Sequence, residues 1–144
     1  MLIHRHDDAP WHGWREGVRS RVWSSAQQGA NGMHIGEQIF QPGYGVPVHW
    51  HYYEEHVTVF RGSAEFTVNG ATERVDGPAT VILPPRSTHG FVNVGEDELH
   101  IIGASNWPVH ETMYVEDPEG TIMRAWEPGF TGRRKMVAID GPGR

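Results

Sequence analysis

Along this chain, apolar residues come in short bursts that alternate with polar positions and stop at turn residues. Val18, Val22 and Trp23 mark the first burst, and residues 33–40 form the second, closed by Gln41-Pro42-Gly43. A ligand-rich strand follows, and then residues 56–60, which end at Arg61-Gly62. Residues 64–68 then run into Asn69-Gly70, a pair that accepts positive φ and marks a tight hairpin. The remaining bursts, 72–75, 80–83, 89–94 and 99–104, are separated by Asp76-Gly77-Pro78, Pro84-Pro85 and Gly95-Glu96-Asp97. Short runs at this spacing, with no sustained helical period, predict an all-β sandwich or barrel of antiparallel strands. Residues 1–16 lack a clear period and read as an N-terminal arm, and residues 17–115 read as one barrel domain. Residues 116–144, with Glu127-Pro128-Gly129 and a closing Gly-Pro-Gly-Arg, read as a C-terminal extension packing on the barrel or on a partner subunit.

Composition narrows this picture. A chain of 144 residues with 18 glycines and 10 prolines suits one core built from short strands and tight turns. The formal charge of −6 is scattered, and the basic cluster Arg133, Arg134 and Lys135 is short, so no nucleic-acid partner is expected. There are no cysteines, which excludes disulfides, thiolate nucleophiles and Cys-based metal sites. No signal-peptide-like or membrane-spanning apolar run is present, so a cytoplasmic location without membrane attachment is the default expectation. The 10 histidines are spread from His4 to His110 rather than gathered in a tag, which turns attention to metal chemistry.

The stretch GYGVPVHWHYYEEHVTVFRG carries most of that chemistry. On an extended strand His49, His51, Tyr53 and Glu55 share parity and so share a face. Val57 and Val59 continue the same parity, which marks that face as buried. Buried imidazole and carboxylate groups need partners, and a metal ion satisfies them directly. Glu54 and His56 have the opposite parity and are expected to point away, Glu54 as a rim or ion-pair residue. Downstream, His89 opens a strand just after Pro84-Pro85 and supplies the fourth ligand that the first three call for.

These residues make the chain resemble a small single-domain cupin. Gly43, His49, His51, Glu55 and Gly62 match the first cupin motif without a gap. Pro84, His89 and Asn93 match the second, but Gly77 lies one residue too far upstream and Arg86 replaces its middle glycine. The resemblance implies a double-stranded β-helix, or jelly-roll barrel, in which His49, His51, Glu55 and His89 point inward to one metal ion. It also implies a homodimer, and a range of activities that includes dioxygenases, decarboxylases, isomerases and lyases.

The expected function is a metal-dependent enzyme acting on a small organic molecule within the barrel, with a dioxygenase as the leading reading. The expected cofactor is one divalent transition metal ion, Fe(II) by preference, with Mn, Ni, Cu or Zn able to bind the same donors. A non-oxidative cupin (isomerase, lyase or decarboxylase) is the alternative, and a small-molecule binding or sensing module is the alternative of another class. His100 and Glu54 are candidate acid–base groups. Gln38, Tyr53 and Arg61 are candidate substrate-binding residues, with Arg21 and Arg86 as further anion anchors. Trp50 lies between the two histidines, faces away from the metal, and is a candidate for a subunit interface.

Overall fold

Where turn residues interrupt the chain, the strands end. The computed structural model describes residues 1–115 and the backbones of two later strands. Trp126, the basic cluster at 133–135 and the rest of the C-terminal extension lie outside the described residues. The strands are β1 (His12–Arg15), β2 (Val18–Ser24), β3 (His34–Phe40), β4 (Gly45–Trp50), β5 (Glu55–Arg61), β6 (Ser63–Val68), β7 (Ala71–Asp76), β8 (Ala79–Leu83), β9 (His89–Asn93), β10 (Leu99–Ser105), β11 (Glu111–Tyr114), β12 (Thr121–Arg124) and β13 (Met136–Ala138). Two differences from the sequence reading stand out. The N-terminal arm contains an edge strand, β1, and the ligand-rich strand stops at Trp50, with a corner at residues 51–54 before β5 begins at Glu55.

Two antiparallel sheets face each other as a jelly-roll barrel. One has the order β1-β2-β3-β10-β5-β8 and the other β13-β12-β11-β4-β9-β6-β7. The hairpin expected at Asn69-Gly70 joins β6 to β7, with φ of 49° and 83° at the two positions. Asn69 also binds the loop that leads to His89. Its carboxamide oxygen accepts from the Thr88 amide at 3.0 Å, and its own amide donates to the Thr88 carbonyl at 2.8 Å. The motif residue Asn93 is a clamp, donating to the carbonyls of Phe40 and Asp97 at 3.0 and 2.9 Å.

The barrel has an apolar end and a polar end. Val18, Phe40, Val57, Val59, Ala64, Phe66, Leu83, Phe91, Leu99 and Ile101 form one buried cluster, with Phe91 edge-on to Phe40. The strands that supply these residues carry His34, Glu55 and His89 at their opposite ends. A bulge in β4 makes the polar end possible. Val46 pairs with Phe91 and His49 with His89, so β4 spends one extra residue between these points. The bulge shifts parity, and both Val46 and His49 therefore face inward. Across from it stands Gly90, where a Cβ would come 2.8 Å from the Val46 carbonyl and 2.9 Å from the Val48 amide. Only glycine lets β9 approach the bulge this closely.

Candidate metal centre

The ligand atoms of His49, His51, Glu55 and His89 all lie within 4.8 Å of one another. Their convergence has a different origin from the strand parity that predicted it. His49 ends β4 in one sheet, His51 sits in the corner that follows, and Glu55 opens β5 in the facing sheet. His89 opens β9, beside β4. Opposing walls of the barrel thus contribute to one cluster, and the turn between them brings His51 into line.

Each imidazole is oriented through its outer nitrogen. His49 Nδ1 donates to the Pro47 carbonyl at 2.7 Å, His89 Nδ1 to the Ser87 carbonyl at 2.9 Å, and His51 Nδ1 to the Glu111 carbonyl. Carbonyl oxygens only accept, so each Nδ1 carries a hydrogen and each ring turns its Nε2 inward. The Nε2 atoms of His51 and His89 each lie 3.2 Å from Glu55 Oε2. Neither contact has hydrogen-bond alignment, and both nitrogens are buried without a partner. Burial pushes the Glu55 carboxyl up, yet His51 and His89 outweigh it and hold the group well below its usual value. Burial, helped by His51 and His89, holds His49 well below the usual imidazole value. Three Nε2 atoms turned toward one carboxylate, each ring bonded outward through Nδ1, are, once deprotonated, the donor set of a divalent cation. The residues present fit a metal ion.

Tyr53 is a positioning residue rather than a free wall of the cavity. Its ring stacks on His51 with centroids 4.9 Å apart. Its hydroxyl donates to the Glu111 carbonyl at 3.0 Å and accepts from the Glu111 amide at 2.9 Å. Burial keeps the phenol protonated well above its ordinary range, so it remains a donor. Gln38 shares the inward parity of β3 with Phe40.

Other candidates lie elsewhere. His100 is on the outer face of β10, since Leu99 and Ile101 beside it are core residues. Its Nε2 binds Glu37 at 2.6 Å, and Glu37 also binds Arg21, under the N-terminal arm. A sheet separates His100 from the cluster. Arg61 is exposed at the far end of β5, six residues from Glu55 and so roughly 20 Å along a strand. Glu54 is half-exposed and pairs with His56 at 3.0 Å, both turned from the cluster. Trp50 is buried within the chain against Met113 and Tyr52, which accounts for it without a subunit interface. Arg86 adopts φ of 67° where the motif has glycine, and its amide donates to the His51 carbonyl at 2.7 Å, so the turn is kept despite the substitution.

The sequence reading missed two residues here. His34, on the inward parity of β3, and His110, in the loop before β11, have ring centroids 5.2 Å apart. His110 lies 5.3 Å from His51 by the same measure. Burial lowers His34 to about 4 and His110 to about 3. Parity with Phe40 was an available signal for His34; nothing local marked His110.

A family model described as a cupin domain matches residues 36–104, spanning both halves of the cluster. Residues 36–104 are thus a cupin domain. A curated protein of Streptomyces cyaneus, named polyketide synthase CurC, is 32% identical over 75 residues, or 51% of this cupin and 49% of that protein. The cupin thus matches about half the length of that relative. Among solved structures, the polyketide cyclase RemF from Streptomyces resistomycificus superposes with a TM-score of 0.68 at 20% identity, covering 83% of this chain and 89% of that one. An oxalate decarboxylase from Lactobacillus farciminis gives a TM-score of 0.68 at 20% identity over 76% of this cupin and 34% of that chain. Among the described residues, no helix is long and apolar enough to cross a membrane.

Proposed function

We propose that this cupin is a metal-dependent enzyme in which His49, His51, Glu55 and His89 hold one divalent transition-metal ion, and that it acts non-oxidatively on a small oxygen-bearing organic molecule. The carrying observation is the convergence of three Nε2 atoms and one carboxylate, with every imidazole bonded outward through Nδ1. Bound there, such an ion supplies Lewis acidity to a substrate oxygen. The protein's own part is orientation: three backbone carbonyls and Tyr53 fix the imidazoles, and the apolar end closes the barrel behind the reacting groups. The names of two relatives, a polyketide synthase and a polyketide cyclase, support a keto- or phenol-bearing substrate.

A dioxygenase is the second reading. Three imidazoles and one carboxylate leave coordination positions for substrate and O₂ together, which suits Fe(II). Metal analysis of protein prepared without an affinity tag, followed by turnover of a panel of diketones and phenols in air and under argon, separates the readings. Near one equivalent of metal, and equal rates in both atmospheres, is the expected result. Oxygen uptake in step with turnover moves the assignment to the dioxygenase. Less than about a tenth of an equivalent, with melting unchanged by chelation, rejects both, because a bound ion stabilises the native state by linkage.

A further inference from the structure

Beside the four-residue cluster the barrel interior holds polar atoms that no described residue satisfies. His34 is 7% exposed and Ser20 1% exposed, and both face inward. His34 Nε2, His110 Nδ1 and Ser20 Oγ are all buried without a hydrogen-bond partner. The other nitrogen of His110 is already engaged, 3.1 Å from the Thr112 hydroxyl. A buried polar atom left unpaired costs about 1–3 kcal/mol, so the two imidazole nitrogens, on rings 5.2 Å apart, mark a place where a ligand completes the bonding.

The floor beside them is bare. Gly36 and Gly103 are cross-strand partners on β3 and β10. A Cβ at Gly36 would meet the His34 ring at 3.3 Å, and one at Gly103 would lie 3.6 Å from Glu55 Oε1. Both positions therefore face the space between His34 and the metal cluster, and neither puts a side chain into it. Two adjacent glycines leave a strip of backbone on which a flat ring can lie.

The surrounding charge narrows the ligand further. Among the described side chains, Arg5, Arg19, Arg61, Arg74 and Arg86 are exposed, and Arg21 is committed to Glu37 on the outer face. No described guanidinium serves this wall, so in the absence of an ion an anionic group held at His34 and His110 would be buried near Glu55 without a counter-charge. Imidazoles suit a neutral oxygen, to which each can donate or from which each can accept.

We propose that His34 and His110, above the Gly36–Gly103 floor, form a substrate-positioning subsite for a planar, neutral hydroxy-carbonyl arene. One substrate oxygen is directed to the cluster and a second to these two imidazoles. This rests on the metal-enzyme reading for the first oxygen only. The subsite's own contacts do not require the ion.

The test is binding, by calorimetry, of 1-hydroxy-2-acetonaphthone and of its anionic counterpart 1-hydroxy-2-naphthoate to metal-loaded and chelator-treated protein. In the chelator-treated protein the neutral probe is expected to bind at least about tenfold more tightly than the naphthoate, the equivalent of one hydrogen-bonding contact's discrimination. His34→Phe is expected to weaken the neutral probe at least about tenfold with metal content unchanged, and His34→Gln to restore most of the affinity. Gly103→Ala, which keeps every polar atom, is expected to weaken the probe by narrowing the floor, so the proposal does not depend on the fold of one variant. Failure of the wild-type protein to take up metal rejects the metal reading, while sensitivity of the chelator-treated protein to His34→Phe still supports the subsite. No binding of the neutral probe, equal or tighter binding of the naphthoate by the chelator-treated protein, or indifference to both His34→Phe and Gly103→Ala overturns it.

Discussion

His51 shows how much of the centre depends on one side chain's surroundings. Its ring is held by the Glu111 carbonyl on Nδ1 and by Tyr53 stacked against it, while Tyr53 closes two hydrogen bonds to the same Glu111 peptide. Tyr53→Phe keeps the stack and removes the anchor. It is expected to lower metal affinity by about 10–100-fold, as loss of an orienting partner does, measurable by competition with a chromogenic chelator. A second residue-scale prediction concerns His34, whose burial lowers it to about 4 from 6.5. Its folded value lies below its unfolded value, so its contribution is complete above 6.5 and is lost as pH falls toward 4. The unfolded chain takes up a proton there that the native one refuses, at up to about 1.4 kcal/mol per pH unit for one group. His110, at about 3, acts in the same direction. The depressed Glu55 loses its contribution only below the ordinary carboxylate range. Urea midpoints of chelator-treated protein should fall steadily from about pH 7.5 to about pH 5, and a flat profile would contradict the burial of neutral imidazoles. At this scale the four ligands were legible because spacing is a property of sequence. His110 was not, because only a loop's path brings it to His51.

Strand ends were mostly legible as well, since Gly, Pro, Asn and Asp mark them chemically. The exception was the corner between β4 and β5. Residues 51–54, His-Tyr-Tyr-Glu, include no turn former. The bend is held instead by contacts distant in sequence: the Arg86 amide on the His51 carbonyl, and Asn106 bonded to the Glu54 amide at 3.2 Å. A local reading therefore extended one strand through it. Parity still selected the right residues, because the bulge in β4 and the corner together restore the inward face. Gly90 is where this arrangement is most exposed to mutation. Gly90→Ala forces a methyl against the β4 backbone at Val46 and Val48, where no side chain can rotate away. The expected cost is about 3 kcal/mol or more, at the upper end of overpacking penalties, read as a fall in melting temperature together with reduced metal uptake.

For the molecule as a whole, the facing sheets are joined at one end by aromatic and aliphatic packing and at the other by the cluster. Removing metal should therefore act unevenly. Hydrogen exchange is expected to quicken around residues 49–55 and 89 after chelation while the amides flanking Phe40, Val59 and Phe91 keep their protection; uniform loss would show that the two ends are not separable. The sheet order and pairing were outside the reach of sequence, because register depends on which distant strands meet. One consequence follows from ligands that hang on opposite walls. Were an ion held there, the room for it would be set by the gap between the sheets, and that gap is packed by Phe40, Phe66 and Phe91 at the far end. Discrimination between a smaller and a larger ion is then partly decided by hydrocarbon that never touches either.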